Sequence, residues 1–461
     1  MTPNKKITIL VVDDSATMRA MFKQMLNQVG YDDLVFAVDG DDGIAKLEED
    51  KIDLIISDWN MPKRDGLEFL QWVRSQDRFK EIPFIMATAQ GDKSQQKRGK
   101  EAGANGHIPK PFDKEELKAE IEAVFAPCAA EDQGLQHNRR RTVIAGRVQM
   151  KLAHIQITDH LALGVLKHRI ETGEVIPRHF ALETLCLPGW NPVQAALEKG
   201  DVDGAFVLAP IAMDLFAFDA PIKLVLLAHK NGSIFVRSRK IDLNNYESLS
   251  DFYKYKVIDI PHKMSVHNML AHKFLKELGL RPGVPGKKAI NVRFEVVPPI
   301  QMPAILRENE DVGGFIVAEP IGSNAIAKGI AELQFLSASL WDNHPCCVVA
   351  MRDEFIAEHT DAVFEFVSLL VDAGRFIEKN KSQAAEIAVS FLDPQKALGL
   401  TSEVLNKVLD TPQGITMNDL YPVLEDLDTI QRYMHDEMGF GKLIDVEKFA
   451  DLRFADAACR R

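Results

Sequence analysis

Apolar residues along the first quarter of the chain alternate between short continuous runs and helically spaced sets. Ile7–Val12 reads as a buried strand, and Met18, Met21, Phe22, Met25, Leu26 and Val29 then recur at the spacing of one helix face. The same strand-then-helix rhythm returns with strands near Leu34–Ala37, Leu54–Ser57, Phe84–Ala87 and Gly106–Ile108. Five such units in about 125 residues predict an α/β fold with a parallel, doubly wound sheet. In such sheets, chemistry gathers at the carboxyl ends of the strands.

A stretch without apolar period follows at 127–141 and reads as a linker; its Arg139-Arg140-Arg141 reads as a solvated edge. Residues 142–461 again alternate strands and helices. Val143–Ala145, Gly204–Leu208, Ile222–Leu227, Lys256–Ile260, Arg293–Val297 and Gly313–Val317 predict strands, and Ser233 opens a further one. Helical spacing is clearest in Val266–Leu278, Ala362–Ile377, Ser382–Phe391 and Leu420–Met438, so the C-terminal part reads as largely helical. Length alone calls for several domains.

The net charge is −12 and neither the N-terminal segment nor the remainder has a basic excess, which argues against a nucleic-acid partner. No run of eighteen apolar residues occurs, so membrane insertion is not expected. The N-terminus lacks the apolar core and cleavage site of a signal peptide, which predicts a cytoplasmic protein. Cys128, Cys186, Cys346, Cys347 and Cys459 show no CxxC spacing and read as reduced thiols.

The predicted strand ends carry polar residues. The first runs into Asp13-Asp14-Ser15, the third into Ser57-Asp58, the fourth into Thr88, and the fifth is followed by Lys110-Pro111-Phe112. Converging carboxylates repel one another unless a hard divalent cation such as Mg²⁺ holds them. Cation and lysine can then neutralise a phosphoryl group moving to a carboxylate oxygen.

SDWNMPKRDG at 57–66 and KPF at 110–112 resemble the receiver domains of response regulators, within them the chemotaxis receiver, over residues 5–126. The resemblance implies a flavodoxin-like receiver at 1–126 with five strands in the order 2-1-3-4-5. It implies Asp58 as phosphoacceptor, and Mg²⁺ held by Asp13, Asp58 and the Asn60 backbone carbonyl, with Asp14 acting through water. Thr88 and Lys110 would stabilise the phosphoryl group. Thr88 and His107 would form the switch, His107 standing where relatives often have Tyr or Phe. The Lys110–Pro111 bond would be cis, and Gln90 would tune dephosphorylation. A histidine kinase or phosphotransfer protein would be the donor.

Residues 145–455 resemble the substrate-binding proteins of nitrate, bicarbonate and sulfonate ABC importers. GDVDGAFVLAP (200–210), HKNGSIFV (229–236), PHKMSVHNML (261–270), GGFIVAEPIGSNAIAKG (313–329) and LWDNHPCCVV (340–349) carry it. It implies a two-lobed, type II periplasmic-binding-protein-like domain at 142–461 with a helical tail. Trp190, Ser233, His267 and Glu319 would face a small ligand, an anion such as nitrate. No Walker A, GxGxxG, HExxH or GxSxG sequence occurs, so no catalytic activity is expected beyond the receiver's own phosphoryl chemistry. The leading expectation is a response regulator whose output is a ligand-sensing clamp read by a downstream protein. Two alternatives stay open: an enzyme related to thiamine-pyrimidine synthases, echoed by Cys346-Cys347, and an interaction module that binds no ligand.

Overall fold

The computed structural model describes residues 7–89, 98–110, 112, 114–125, 143–144, 146–284, 289–396 and 398–459. The chain forms two compact units. In the N-terminal unit, β1 (Ile9–Val12), β2 (Leu34–Ala37), β3 (Leu54–Asp58), β4 (Phe84–Ala89) and β5 (Gly106–Lys110) form one parallel sheet in the order β2-β1-β3-β4-β5, the expected topology. Every residue of β1 is buried, as a strand covered on both faces requires.

Helices α1 (Ala16–Gln28), α2 (Gly40–Glu49), α3 (Gly66–Ser75) and α4 (Lys114–Phe125) cover the sheet. Three of them are started by side chains that occupy otherwise orphaned backbone donors. Ser15 accepts from Met18 N, Asp39 accepts from Asp41 N and Asp42 N, and Asp65 forms a capping box with Glu68. Strand order reverses between β1 and β3, so a crevice opens at their carboxyl ends.

The second unit holds two six-stranded sheets. The first contains β6 (Val143–Ile144), β7 (Arg147–His154), β8 (Phe180–Cys186), β9 (Gly204–Leu208), β10 (Ile222–Leu227) and β17 (Cys347–Arg352). The second contains β11 (Ser233–Ser238), β12 (Val257–Ile260), β13 (Pro282–Gly283), β14 (Val292–Val296), β15 (Val312–Ala318) and β16 (Ala331–Leu336). The chain passes from one sheet to the other at 228–232 and returns at 337–346. These crossovers run side by side: Ala228 N donates to Cys347 O (2.9 Å) and Asn231 N to His344 O (3.0 Å). Two lobes joined by two paired crossovers match the predicted two-lobed domain.

Helices that bear on this unit's site are α5 (Leu161–Glu171), α6 (Trp190–Lys199), α7 (Val266–Glu277) and α8 (Ile321–Ala327). The C-terminal part is helical as expected, with α9 (Thr360–Lys379), α10 (Lys381–Leu392), α11 (Ser402–Asp410) and α12 (Leu424–Arg432). The helix expected from Leu420 starts later, at Leu424. Pro422 cannot donate inside a helix, and the preceding segment gives its backbone to the first crossover instead. Thr416 and Lys230 exchange two backbone hydrogen bonds of 2.9 Å, and Leu227 N donates to Leu420 O at 3.0 Å. Among the described residues, no helix is long and apolar enough to cross a membrane.

Candidate functional site

In the N-terminal unit, Asp13 follows β1 and Asp58 ends β3, so the crevice brings them together. Carboxylate oxygens of Asp13, Asp14 and Asp58 lie within 4.8 Å of one another, a spacing one divalent cation can bridge. Lys110, at the end of β5, reaches buried Asp13 and half-buried Asp58, 2.5 Å from Asp13 Oδ2 and 2.8 Å from Asp58 Oδ1. Burial, together with Asp13 and Asp14, outweighs Lys110 and pushes the Asp58 carboxyl up to about 7. Burial opposes the charge on Lys110, yet Asp13 and Asp58 hold its pKa above the ordinary lysine value. The pocket therefore carries unresolved negative charge on oxygen donors. That suits Mg²⁺, which would lower the electrostatic cost of ionising Asp58.

Thr88 is fully buried and its Oγ1 has no hydrogen-bond partner among the described residues, a hydroxyl left available to an incoming oxygen. His107 is half-buried, and burial lowers its imidazole pKa. Its backbone N–H is fixed by Glu120 Oε1 at 2.8 Å, while Nε2 is buried without a partner among the described residues. The ring occupies the space above Gly99, where a Cβ would come within 2.6 Å of Nε2. Asn60 lies in the loop two residues beyond Asp58. Gln90 and Pro111, and with Pro111 the peptide bond expected to be cis, lie outside the described residues.

Gly66 explains part of the SDWNMPKRDG motif. Its N–H donates to Trp59 O at 2.9 Å, so α3 begins directly against the loop that follows Asp58. A Cβ there would sit 2.0 Å from the Asp58 carbonyl oxygen. Gly66→Ala is expected to displace the Asp58 backbone, slow phosphorylation about tenfold and cost about 1–3 kcal/mol, as overpacking does. Acetyl-phosphate labelling rates and urea unfolding midpoints measure the two effects.

In the second unit, the loop after β7 and the two crossovers meet. Thr158 donates to Glu319 O through both N (2.8 Å) and Oγ1 (2.7 Å), joining one lobe to the end of β15 in the other. All four residues expected at the cleft are buried. Trp190 is the first residue of α6 and packs edge-on against His160, with ring centroids 5.9 Å apart. Its Nε1–H has no partner among the described residues. Ser233 Oγ and His267 Nε2 are 3.0 Å apart, and His267 Nδ1 is likewise unpartnered among the described residues. Burial, with His344 and His229, pushes His267 down to about 3, so its ring is neutral near pH 7.

Glu319 turns toward its own helix. Its carboxylate accepts from Ser323 N at 3.0 Å and Ser323 Oγ at 2.5 Å, and burial raises its pKa to about 7.

Sequence reasoning singled out Cys346-Cys347 but did not group them with two further residues here. Asp159, His229, Cys346 and Cys347 are all fully buried, with potential ligand atoms within 4.8 Å of one another. His229 Nε2 lies 2.9 Å from Asp159 Oδ2. Burial pushes this imidazole down, but Asp159, with Cys346 in support, holds it up at about 10. The same Nε2 is 3.2 Å from Cys347 N, but a proton committed to the carboxylate leaves that amide no lone pair. Cys347 Sγ lies 3.5 Å from Asp159 Oδ2. The Cys346 thiol is lowered by its contact with Cys347, against burial and with help from His229.

The acidic crevice at a strand-order reversal, with its lysine and buried threonine, defines the N-terminal unit as a response-regulator receiver. Residues 9–122 match the response regulator receiver domain, and residues 145–392, more than half of the chain, match the NMT1-like family. The chain belongs to the NMT1-like family and carries a receiver domain ahead of the family domain. A probable chemotaxis protein CheY of Rhizobium etli is 44% identical over 125 residues, which are 27% of this chain and 97% of that protein. Chemotaxis protein CheY1 of Helicobacter pylori is 44% identical over 118 residues, 25% of this chain and 95% of the relative.

Among solved structures, the chain is similar to a ligand-binding component of an ABC-type import system from Staphylococcus aureus with zinc bound. The TM-score is 0.59 at 22% identity, covering 68% of this chain and 99% of the other. It is also similar to the periplasmic nitrate-binding protein NrtA from Synechocystis PCC 6803, with a TM-score of 0.57 at 18% identity, covering 68% and 88%. Those likenesses are ones of fold.

Proposed function

We propose that this protein is a response regulator that accepts a phosphoryl group on Asp58 and couples it to a clamp for a small anionic ligand. The observation that carries the first half is the convergence of three carboxylates, Lys110 and an unpartnered Thr88 hydroxyl on one crevice. Asp13, Asp58 and the Asn60 carbonyl would hold Mg²⁺, with Asp14 acting through water, and Mg²⁺ would offset charge on the transferred group. Asp58 would attack as the carboxylate. Lys110 and Thr88 would bind phosphoryl oxygens, and Thr88 would draw the His107 switch with it. The donor would be a histidine kinase or phosphotransfer protein in the cytoplasm.

The clamp half rests on Trp190. An indole N–H only donates, and burying it unpaired costs about 1–3 kcal/mol, so an acceptor oxygen is its natural partner. A nitrate-like oxyanion fits this demand, with the neutral His267 ring adding a directional contact. Trp190→Phe keeps most of the packing and removes the donor. It is expected to weaken ligand binding at least tenfold, measured by thermal shift of the full chain across a panel of small anions. Stabilisation that Trp190→Phe leaves unchanged would count against the cleft.

Phosphorylation and ligand must bias each other equally if both act on one equilibrium. Equal ligand affinity, within about twofold, for phosphorylated and unphosphorylated protein would remove the coupling while leaving both sites intact. In this reading a downstream protein senses the combined state.

A further inference from the structure

Beyond the phosphoryl and ligand chemistry, we propose that Asp159, His229, Cys346 and Cys347 form a second, thiolate-type metal site that takes a zinc-class divalent cation. Tetrahedral Zn²⁺ with bonds of about 2.0–2.3 Å needs ligand atoms roughly 3.3–3.8 Å apart. The four candidate ligand atoms already lie within 4.8 Å of one another, so only a small contraction is required. Their contacts are mutual: 2.9 Å from His229 Nε2 to Asp159 Oδ2, and 3.5 Å from Asp159 Oδ2 to Cys347 Sγ.

Three further observations point to a bound ion. All four residues are fully buried, yet Asp159 Oδ1 and His229 Nδ1 have no hydrogen-bond partner among the described residues. A cluster with orphaned polar atoms in a closed interior is costly unless something else occupies it. The backbones are pinned beforehand, with Ala209 N donating to Cys346 O at 2.8 Å and Ala228 N to Cys347 O at 2.9 Å. Cys346 also precedes the first residue of β17, so strand alternation does not force the two neighbouring thiols to opposite faces.

A Cys–His–Asp nucleophilic relay is the competing reading of these residue types. It needs cysteine and aspartate on opposite ring nitrogens of the histidine. Here Asp159 is on Nε2 and Nδ1 has no partner, so all four side chains face one point instead. Two thiols among the ligands select a borderline-soft ion, whereas the all-oxygen receiver triad selects Mg²⁺. With four protein ligands and no open position, the site is structural. It would tie the loop after β7 to both crossovers at the base of the clamp. On binding, the thiol and imidazolium protons leave to solvent.

The test is titration of reduced, metal-stripped full-length protein with Co²⁺, then Zn²⁺. One equivalent of Co²⁺ is expected to give a near-ultraviolet thiolate charge-transfer band and intense visible bands of a tetrahedral ion. Zn²⁺ should abolish both, and excess Mg²⁺ neither. Asp13→Asn, which disables the receiver pocket, should leave the bands intact. Cys346→Ser/Cys347→Ser should lose them, and His229→Gln should weaken Co²⁺ binding at least tenfold while keeping the thiolate band. Absence of a thiolate band in the unmutated protein, or bands surviving the double serine change, overturns the site. Should the double variant not fold, the unmutated protein and Cys347→Ser alone, with its charge-transfer band reduced, decide the matter.

Discussion

Asp58→Ala protein, given acetyl phosphate and Mg²⁺, is expected to take up no phosphoryl group, while the unmutated chain is labelled to about one equivalent. If Asp58 supplies the attacking oxygen, as proposed, its loss removes the reaction rather than slowing it. On the same proposal, Lys110→Ala should retain labelling at a rate reduced by about 10²–10³, because Asp58 remains while the positive charge beside it is lost. Asp13→Asn should have a comparable effect through Mg²⁺. Labelling of Asp58→Ala at the unmutated level would place the phosphoacceptor elsewhere. Mass spectrometry of the intact chain distinguishes these outcomes.

The same carboxyl has a second, measurable consequence. Its folded pKa of about 7 stands above the ordinary 3.8. A folded protein that binds the proton more tightly than the unfolded one loses stability as pH rises through the window between the two values. In EDTA, stability should therefore fall from about pH 4 to pH 7 through this group and then level off. Asp58→Asn should flatten that fall and stabilise the protein at pH 8 by about 1–4 kcal/mol, at about 1.4 kcal/mol per pKa unit. The upper figure is a ceiling, since 12% of the side chain is exposed to water.

The receiver was legible because its signals are local. Asp13, Asp58, Thr88 and Lys110 each sit at the end of a strand written as a short apolar run, and the parallel topology alone brings them together. In the second unit, β7 alternates buried Val148, Met150 and Leu152 with half-buried neighbours, a period-two signal that a reading ending at Ala145 passes over. β8 is half-buried along most of its length, so no such alternation marks it. Ser233, His267 and Glu319 were found as members of motifs and Trp190 through the resemblance, whereas Asp159, His229 and Cys346-Cys347 were not found as a group. They are separated by 70 and 117 positions and become neighbours only through the paired crossovers. No single-segment pattern encodes that meeting, and an adjacent cysteine pair reads equally well as core.

Removal of His229 tests how much of the second unit's stability hangs on that meeting. Asp159 and His229 are both wholly shielded from water, 2.9 Å apart. His229→Ala strands a buried carboxylate without its partner, and breaking such a pair from one side costs about 3–5 kcal/mol. The double change Asp159→Asn/His229→Gln removes both charges and keeps the volume, so it should recover most of that loss. Protonation supplies the sign. The folded imidazole titrates at about 10, above its ordinary 6.5, so the pair's contribution is complete below pH 6.5 and disappears as pH rises through 10. Urea unfolding in EDTA should show stability declining between those values in the unmutated protein and no such decline in His229→Ala. A parallel decline in both would mean that the imidazole is not the titrating group and that the carboxylate is neutralised some other way.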